Sequence, residues 1–394
     1  MGRTVNLVLV DATGAPLGAL PAFDVESPWW QDVAEVIAAV RARHGADVQV
    51  LRVLHGTGVD RPAAGGEVTY LAELSGPAQL ALSAVDVDRS PQPHRNPYAE
   101  PGGPAASIGW GTAALAALGT PGTTASQQRT WNLSAIWRFD AAGVPVAWLK
   151  QVPWFFRHEP DVLGLVSGVA PGLVPPLLAA GDEGRMLLAH APGVDGYDAG
   201  PDVCADIASG FHPVQEHFAG RVDKLVAAGI PDRRLSAEPF TRAAEPYYDR
   251  IDGLRELVEG LPERLAAIAA CGLPDTLVHS DLHPGNARVG AGPPVIMDWG
   301  DSVVSHPAYD ILRLTGWLSS GGEPLIADWV RRWRRSVPGS DPARAVELMR
   351  PVQHLRGGVI YGDFVAGIEP AERVYHFDDI AGSLKAAVRA ATVS

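Results

Sequence analysis

The hydrophobic periodicity of this chain changes part-way along, from a repeat of two to a repeat between three and four. That change restricts the possible folds more than any other feature. Residues 131–152, WNLSAIWRFDAAGVPVAWLKQV, read as two antiparallel strands around the turn DAAG. HEPDVLGLVSGV then reads as a short helix, and VPPLLAAGDEGRMLLAHAPG contains another hairpin. From residue 202 helical spacing dominates, over about 202–227, 243–270, 307–319, 323–336, 341–358 and 359–369. Strands return only at 276–279, 287–289 and 294–298. A strand-rich part followed by a helix-rich part predicts two lobes with a cleft between them.

A separate α/β unit precedes this pattern. VNLVLV at 5–10 has the look of a buried strand, and DATGAPLG that of a turn. Residues 29–45, WWQDVAEVIAAVRARHG, place Val33, Val36, Ile37 and Val40 at helical spacing, with Gly45 as the stop. DVQVLRVL and GEVTYLAEL predict two more strands. The stretch 88–105 is rich in proline and glycine, so it is expected to be a linker or extended loop. A short Ala/Leu helix is expected at about 105–118.

With 394 residues the chain is long enough for two or three domains. Its net charge of −13 disfavours nucleic acid and anionic membranes as partners, and tolerates a cationic small molecule. Two cysteines make neither a disulfide framework nor a cysteine-rich zinc site. The N-terminus lacks the apolar core of a signal peptide, and no stretch approaches ~20 apolar residues. A cytoplasmic protein is therefore expected.

The chemistry is concentrated in TLVHSDLHPGNARVGAGPPVIMDWGD, residues 276–301. Asp281 and Asn286 share a loop after a short apolar strand, and Asp298 ends the next hairpin. Phosphoryl transfer needs such a set: a carboxylate to receive the acceptor hydroxyl, and oxygen ligands for a Mg²⁺ that bridges nucleotide phosphates. A metallohydrolase reading through His279, Asp281 and His283 lacks a second ligand cluster. It also leaves Pro-Gly-Asn and Asp-Trp-Gly-Asp unexplained.

His279-Ser-Asp281-Leu-His283-Pro-Gly-Asn286, followed by Ile296-Met-Asp298-Trp-Gly-Asp301, closely resembles the aminoglycoside phosphotransferase and choline kinase superfamily. The resemblance covers about 125–390, and it departs from the family's loop where Ser280 replaces a glycine. It implies an α+β, bilobal protein-kinase-like fold, with a strand-rich N-lobe and a helical C-lobe. On this reading the domains are a small α/β N-terminal domain at 1–118, the N-lobe at 119–192 and the C-lobe with the catalytic loop at 193–394. The resemblance makes Asp281 the catalytic base, Asn286 and Asp298 the Mg²⁺ ligands, and Asp310 a brace for the catalytic loop. A kinase lobe also needs a strand lysine for the phosphates and a helix glutamate beside it. Lys150 at the end of an apolar strand and Glu159 at a helix start fill those roles. No glycine-rich phosphate loop precedes Lys150. Ser126, Gln127, Gln128 and Arg129 are the residues available to cover the phosphates. Residues 186–193, MLLAHAPG, fall where the interlobe hinge would bond adenine through backbone, which leaves ATP and GTP both open.

The expected partners are thus nucleotide and a small-molecule acceptor, with the oligomeric state open. Asp363, Glu369, Glu372, Asp378 and Asp379 offer carboxylates for the ammonium groups of an amino sugar or aminoglycoside, or simply a solvated helix face. Trp299, Trp317, Tyr361 and Tyr375 offer a cation–π box or ordinary core packing. Trp299, next to a metal ligand, is expected to border the cleft. The N-terminal strand, helix and Gly-Gly-strand order is faintly similar to a Nudix domain. Its acid-rich box is absent, so no pyrophosphatase chemistry is expected there. The alternative to an enzyme is a catalytically inactive kinase-like binding or regulatory protein. Retention of Lys150, Asp281, Asn286 and Asp298 together argues against it.

Overall fold

A computed structural model describes residues 2–57, 65–88, 90–376 and 378–392. The chain divides into two compact units. The first comprises Met1–Arg157, Leu178–His190 and Phe364–Phe377. The second comprises His158–Leu177, Ala191–Asp363 and Asp378–Ser394.

Two sheets build the first unit. One contains β1 (Arg3–Val10), β2 (Pro16–Ala19), β3 (Phe23–Val25), β4 (Asp47–Thr57) and β5 (Glu67–Ser75), in the order β2-β1-β5-β4 with β3 on β1. Strands β1 and β5 run parallel, with Val5 opposite Val68 and Leu7 opposite Tyr70. The alternating apolar residues of β1 face helix α1 (Ala34–His44), whose Val36 and Val40 are fully buried in the same core. Gly45 ends α1 in the left-handed conformation at φ 63°, donating its N–H to Arg41 O.

The helix expected over 29–45 therefore starts later, at Ala34. The preceding residues are committed elsewhere. Val33 N donates to Gln128 O at 3.0 Å, and Thr130 N donates to Gln31 O at 3.0 Å. Trp30 stacks on Tyr375 with ring centroids 4.4 Å apart. Backbone pairing and aromatic burial thus outweigh local helical propensity. Tyr375 is 4 % exposed in this core, which removes it from any cation-binding box.

The second sheet contains β6 (Thr124–Trp131), β7 (Ser134–Ala141), β8 (Val144–Gln151), β9 (Leu177–Ala180) and β10 (Arg185–Ala189), in the order β6-β7-β8-β10-β9. Trp137, Phe139, Leu149 and Leu187 form its buried face under α2 (Gly103–Ala117). Gly111 of α2 lies against Phe139, where an added Cβ would sit 2.9 Å from the ring. Lys150 stands on β8 opposite Ile136 and Met186 and is 9 % exposed.

Helices dominate the second unit: α3 (Glu159–Val169), α4 (Pro201–Phe218), α5 (Val222–Ala227), α6 (Ala237–Ala244), α7 (Leu254–Glu259) and α8 (Leu261–Ala270). They are followed by α9 (Ala308–Thr315), α10 (Gly322–Ser336), α11 (Pro342–Gly367) and α12 (Asp379–Thr392). Four short strands carry the loop of interest: β11 (Val194–Asp195), β12 (Thr276–Val278), β13 (Ala287–Val289) and β14 (Val295–Ile296), with β15 (Val303–Ser305) paired to β12. The expected helix at 202–227 breaks between α4 and α5, where Gly220 takes φ 71°. The two helices expected at 341–358 and 359–369 are one continuous helix, α11. Among the described residues, no helix is long and apolar enough to cross a membrane.

Candidate active site

The loop 279–286 leaves β12, whose three residues are all buried and paired with β15. Its start is clamped by one carboxylate. Asp310 Oδ2 accepts from His279 N at 3.0 Å, and Oδ1 accepts from Ser280 N at 2.9 Å. Gln215 Nε2 donates to the same Asp310 at 2.9 Å. Burial pushes the Asp310 carboxyl up to about 7, against the opposing pull of the two amides. The brace inferred for Asp310 is thus a pair of hydrogen bonds to successive backbone amides.

Ser280 takes φ 76°, the left-handed conformation that accounts for glycine at this point of the family loop. Its Oγ accepts from Arg356 Nη2 on α11. Arg356 is 9 % exposed and lies over the Tyr309 ring, 4.4 Å from its centroid. The serine therefore exchanges backbone strain for a bond to a buried guanidinium.

Asp281 follows, with its side chain 35 % exposed. Arg313 on α9 donates to Oδ1 from Nε and Nη2, both at 2.8 Å. His283 Nε2 stands 3.5 Å from Oδ2. Burial alone would raise this carboxyl, but the His283 contact and the Arg313 guanidinium outweigh it and hold it well below the usual carboxylate range. Asn286 Nδ2 donates to Asp281 O at 3.0 Å and to Asp281 Oδ2 at 3.1 Å. Asn286 O accepts from Met297 N at 2.8 Å, which ties the loop to the residue before Asp298.

Asp298 sits at φ 58°, ψ 65°, a strained conformation for a non-glycine residue. The next amide, Trp299 N, donates to Glu159 Oε1 at 3.1 Å. Glu159 is 1 % exposed at the start of α3 and anchors the Asp298 turn. Trp299 is fully buried, against Phe211 and His279. It belongs to the core and does not border a cleft.

The histidines of the loop are structural. His279 is fully buried, its Nε2 is 2.9 Å from Met297 O, and burial lowers its pKa. His283 Nδ1 accepts from Gly285 N at 3.1 Å. Among the described residues, no group of three or more His, Cys, Asp or Glu could hold a metal ion. Asn286 and Asp298 are hard oxygen donors of the kind Mg²⁺ takes. Asn286 turns its Nδ2 toward Asp281, which leaves the amide oxygen directed elsewhere. This small set suits Mg²⁺, which completes its coordination with water and phosphate oxygens.

Asp281, Asn286, Asp298 and Glu159 all belong to the second unit, and Lys150 belongs to the first. Ser126, Gln127, Gln128 and Arg129 are not a loop. They lie inside β6, where Gln127 bonds both N and O of Val50 at 2.8 Å and Arg129 pairs with Asp32 at 3.0 Å. The expected hinge segment leaves β10 at Ala189 and passes from the first unit to the second after His190. Glu369 pairs with Arg95 at 2.9 Å and Glu372 is 1 % exposed, both in the first unit, whereas Asp363 pairs with Arg233 at 3.3 Å in the second. Arg313 and Arg356 were not singled out in the sequence. The only local signal is that Arg313 follows Asp310 by three residues on one helix.

Residues 173–348 match the model of the phosphotransferase enzyme family. No curated protein matches the chain by sequence. A candidate aminoglycoside phosphotransferase from Ralstonia eutropha superposes with a TM-score of 0.51 at 15 % identity, over 72 % of this chain and 98 % of that one. This likeness shows the kinase-like α+β fold expected from the sequence. The macrolide 2′-phosphotransferase of Brachybacterium faecium aligns at 18 % identity with a TM-score of 0.49, over 73 % of this chain and 98 % of that one. A choline/ethanolamine kinase family protein from Mesorhizobium loti aligns at 17 % identity with a TM-score of 0.48, over 73 % of this chain and all of that one.

Proposed function

We propose, from the match of residues 173–348 to the model of the phosphotransferase enzyme family, that the chain transfers the terminal phosphoryl group of ATP or GTP to a hydroxyl of a small molecule. The observation that carries this reading is the Asp281–Asn286 pair. One loop presents a part-exposed carboxylate, kept ionised by Arg313, against an asparagine amide. Asp281 orients the acceptor hydroxyl and takes its proton. Because phosphoryl transfer runs through a loose transition state, the proton leaves late and a weakly basic carboxylate suffices. Asn286 and Asp298 would hold Mg²⁺, which when bound neutralises charge on the phosphates. Glu159 keeps the Asp298 turn in place. Lys150, buried on β8, supplies the cation for the nucleotide phosphates, and burial of its stem restricts its rotamers.

Substitution of Asp281 and of Lys150 tests the reading. Asp281→Asn is expected to lower kcat about 10²–10⁴-fold while calorimetry still detects Mg-nucleotide binding. Lys150→Met is expected to weaken nucleotide binding itself. Wild-type turnover in Asp281→Asn would remove the proposed mechanism. A wild-type chain that binds no Mg-ATP or Mg-GTP would point instead to an inactive kinase-like binding protein.

A further inference from the structure

The turn between β6 and β7 carries no glycine, yet it is closed off from water. Its two residues, Asn132 and Leu133, lie between the paired Trp131 and Ser134, and each is 6 % exposed. A connecting turn ordinarily runs over the surface. Here it is held from several directions. The buried Glu372 Oε2 accepts from Asn132 N at 2.9 Å, and Glu369 N donates to Asn132 Oδ1 at 3.0 Å. Asn96 Nδ2 donates to Asn132 O at 3.0 Å, and Tyr98 OH donates to Trp131 O at 2.8 Å.

The residues that hold the turn are themselves anchored on the N-terminal sheet. Glu369 and Glu372 lie in the segment Phe364–Phe377, which is part of the first unit. Its Tyr375 stacks on Trp30 with centroids 4.4 Å apart. The same ring lies against Gly56 of β4, where an added Cβ would overlap the hydroxyl. Ala371 and Val374 pack on the core that β1, β4 and β5 build. Arg95 Nη2 fixes the Glu369 carboxylate at 2.9 Å.

The turn's place in its sheet gives this arrangement a use. In protein kinases a turn between the first two strands of the lobe covers the nucleotide phosphates, and the phosphate-binding lysine stands on the third strand. Strands β6, β7 and β8 follow that order, with Lys150 on β8. Lys150 pairs with Ile136, two residues past Ser134, so the turn closes β7 at the lysine's end. We infer that the N-terminal sheet, through Glu372 and Glu369, sets the conformation of the β6–β7 turn and thereby the affinity for nucleotide phosphates. The inference rests on the phosphotransferase reading and gives the N-terminal sheet a part in it.

A glycine-rich turn must lose its freedom when it closes on a ligand. The Asn132 turn is ordered beforehand, which lowers that cost. The Asn132 N–H is already taken by Glu372, so the turn acts through its shape. Burial pushes the Glu372 carboxyl up to about 8. At neutral pH it therefore accepts the N–H without setting a negative charge beside a turn that covers phosphates. Glu372, Glu369 and Asn132 are positioning residues, and Tyr375 anchors them.

Calorimetry on the full chain with Mg-ATP and Mg-GTP, with adenosine and guanosine as competitors, provides the test. Glu372→Ala is expected to raise the Mg-nucleotide Kd about tenfold, the factor for one lost hydrogen bond, and to leave nucleoside affinity within about twofold. Glu372→Gln keeps a neutral acceptor for Asn132 N and should bind as wild type does. Tyr375→Leu stays apolar but loses the stack on Trp30, and should raise the Mg-nucleotide Kd about threefold. It carries the test if Glu372→Ala does not fold. An unchanged Mg-nucleotide Kd in these two variants overturns the inference. So does an equal loss of nucleotide and nucleoside, the mark of a general loosening of the first unit. In both cases wild-type nucleotide binding leaves the phosphotransferase reading standing. A wild-type chain that binds no Mg-nucleotide removes that reading and the inference together.

Discussion

Asp310 and Ser280 are 30 residues apart in the chain, and Asp310 Oδ1 accepts the Ser280 N–H at 2.9 Å. The other oxygen of the same carboxylate takes the N–H of His279 at 3.0 Å. One buried side chain thereby fixes two successive peptide planes immediately before Asp281. An asparagine offers only one acceptor in that position. Asp310→Asn is therefore expected to cost about 1–3 kcal/mol, read from the urea midpoint, because one buried N–H loses its partner. On the phosphotransferase reading kcat should fall more than nucleotide affinity, since Asp281 loses its orientation.

Ser280 combines a strained φ of 76° with a bond from Arg356. Ser280→Ala keeps the strain and strips the buried guanidinium of its acceptor, at an expected cost of about 1–3 kcal/mol. Ser280→Gly loses the same acceptor but relieves about 1 kcal/mol of backbone strain. Glycine should therefore be the milder substitution in matched urea denaturation curves. The reverse order would show that the backbone strain is not felt.

Gly285 has a tertiary reason to be glycine. A Cβ there would lie 2.4 Å from Tyr197 Cε1 and 2.8 Å from His283 Cε1. Gly285→Ala is expected to destabilise by about 1 kcal/mol through this overlap. The loss should shrink in a Tyr197→Ala background, with a coupling of about 0.5 kcal/mol or more in the double-mutant cycle. Strict additivity would mean that the Tyr197 ring does not rest on the loop.

Glu372 is a buried carboxyl of the first unit, with Oε2 accepting from Asn132 N at 2.9 Å. Burial pushes it up to about 8 from an ordinary 4.5, despite the Asn132 bonds. Between those two values the folded chain keeps a proton that the unfolded chain has lost. Stability from this group is complete below 4.5, falls as pH rises, and levels off above about 8. The expected difference between wild type and Glu372→Gln, measured as urea midpoints from pH 5 to 9, is a wild-type decline that the variant lacks.

The sequence made the loop legible because its chemistry is local. Asp281, Asn286 and Asp298 lie on one turn and the next hairpin, so spacing alone puts them near one another. The antiparallel pair β7 and β8 was equally legible, as two apolar runs around the turn DAAG. The first turn of the expected 29–45 helix was not, since the Val33 N–H and the Gln31 carbonyl are taken by β6 and Trp30 by Tyr375. Nor was the placement of Gln127 and Arg129, whose side chains are engaged by Val50 and Asp32, distant in sequence.

By itself, then, the sequence determined the kinase-like pattern and the acid–amide loop, through short-range periodicity and spacing. Tertiary packing decided which aromatic and charged residues lie beside that loop. Trp299 and Trp317 are indistinguishable as letters, yet one is sealed against Phe211 and the other lies open on His283. Glu369 and Asp363 are six residues apart in the chain, yet each is paired with an arginine in a different unit. Arg313 gains its meaning only when α9 carries it to Asp281. Burial and charge pairing depend on what the rest of the chain places alongside a residue, and no local pattern encodes that.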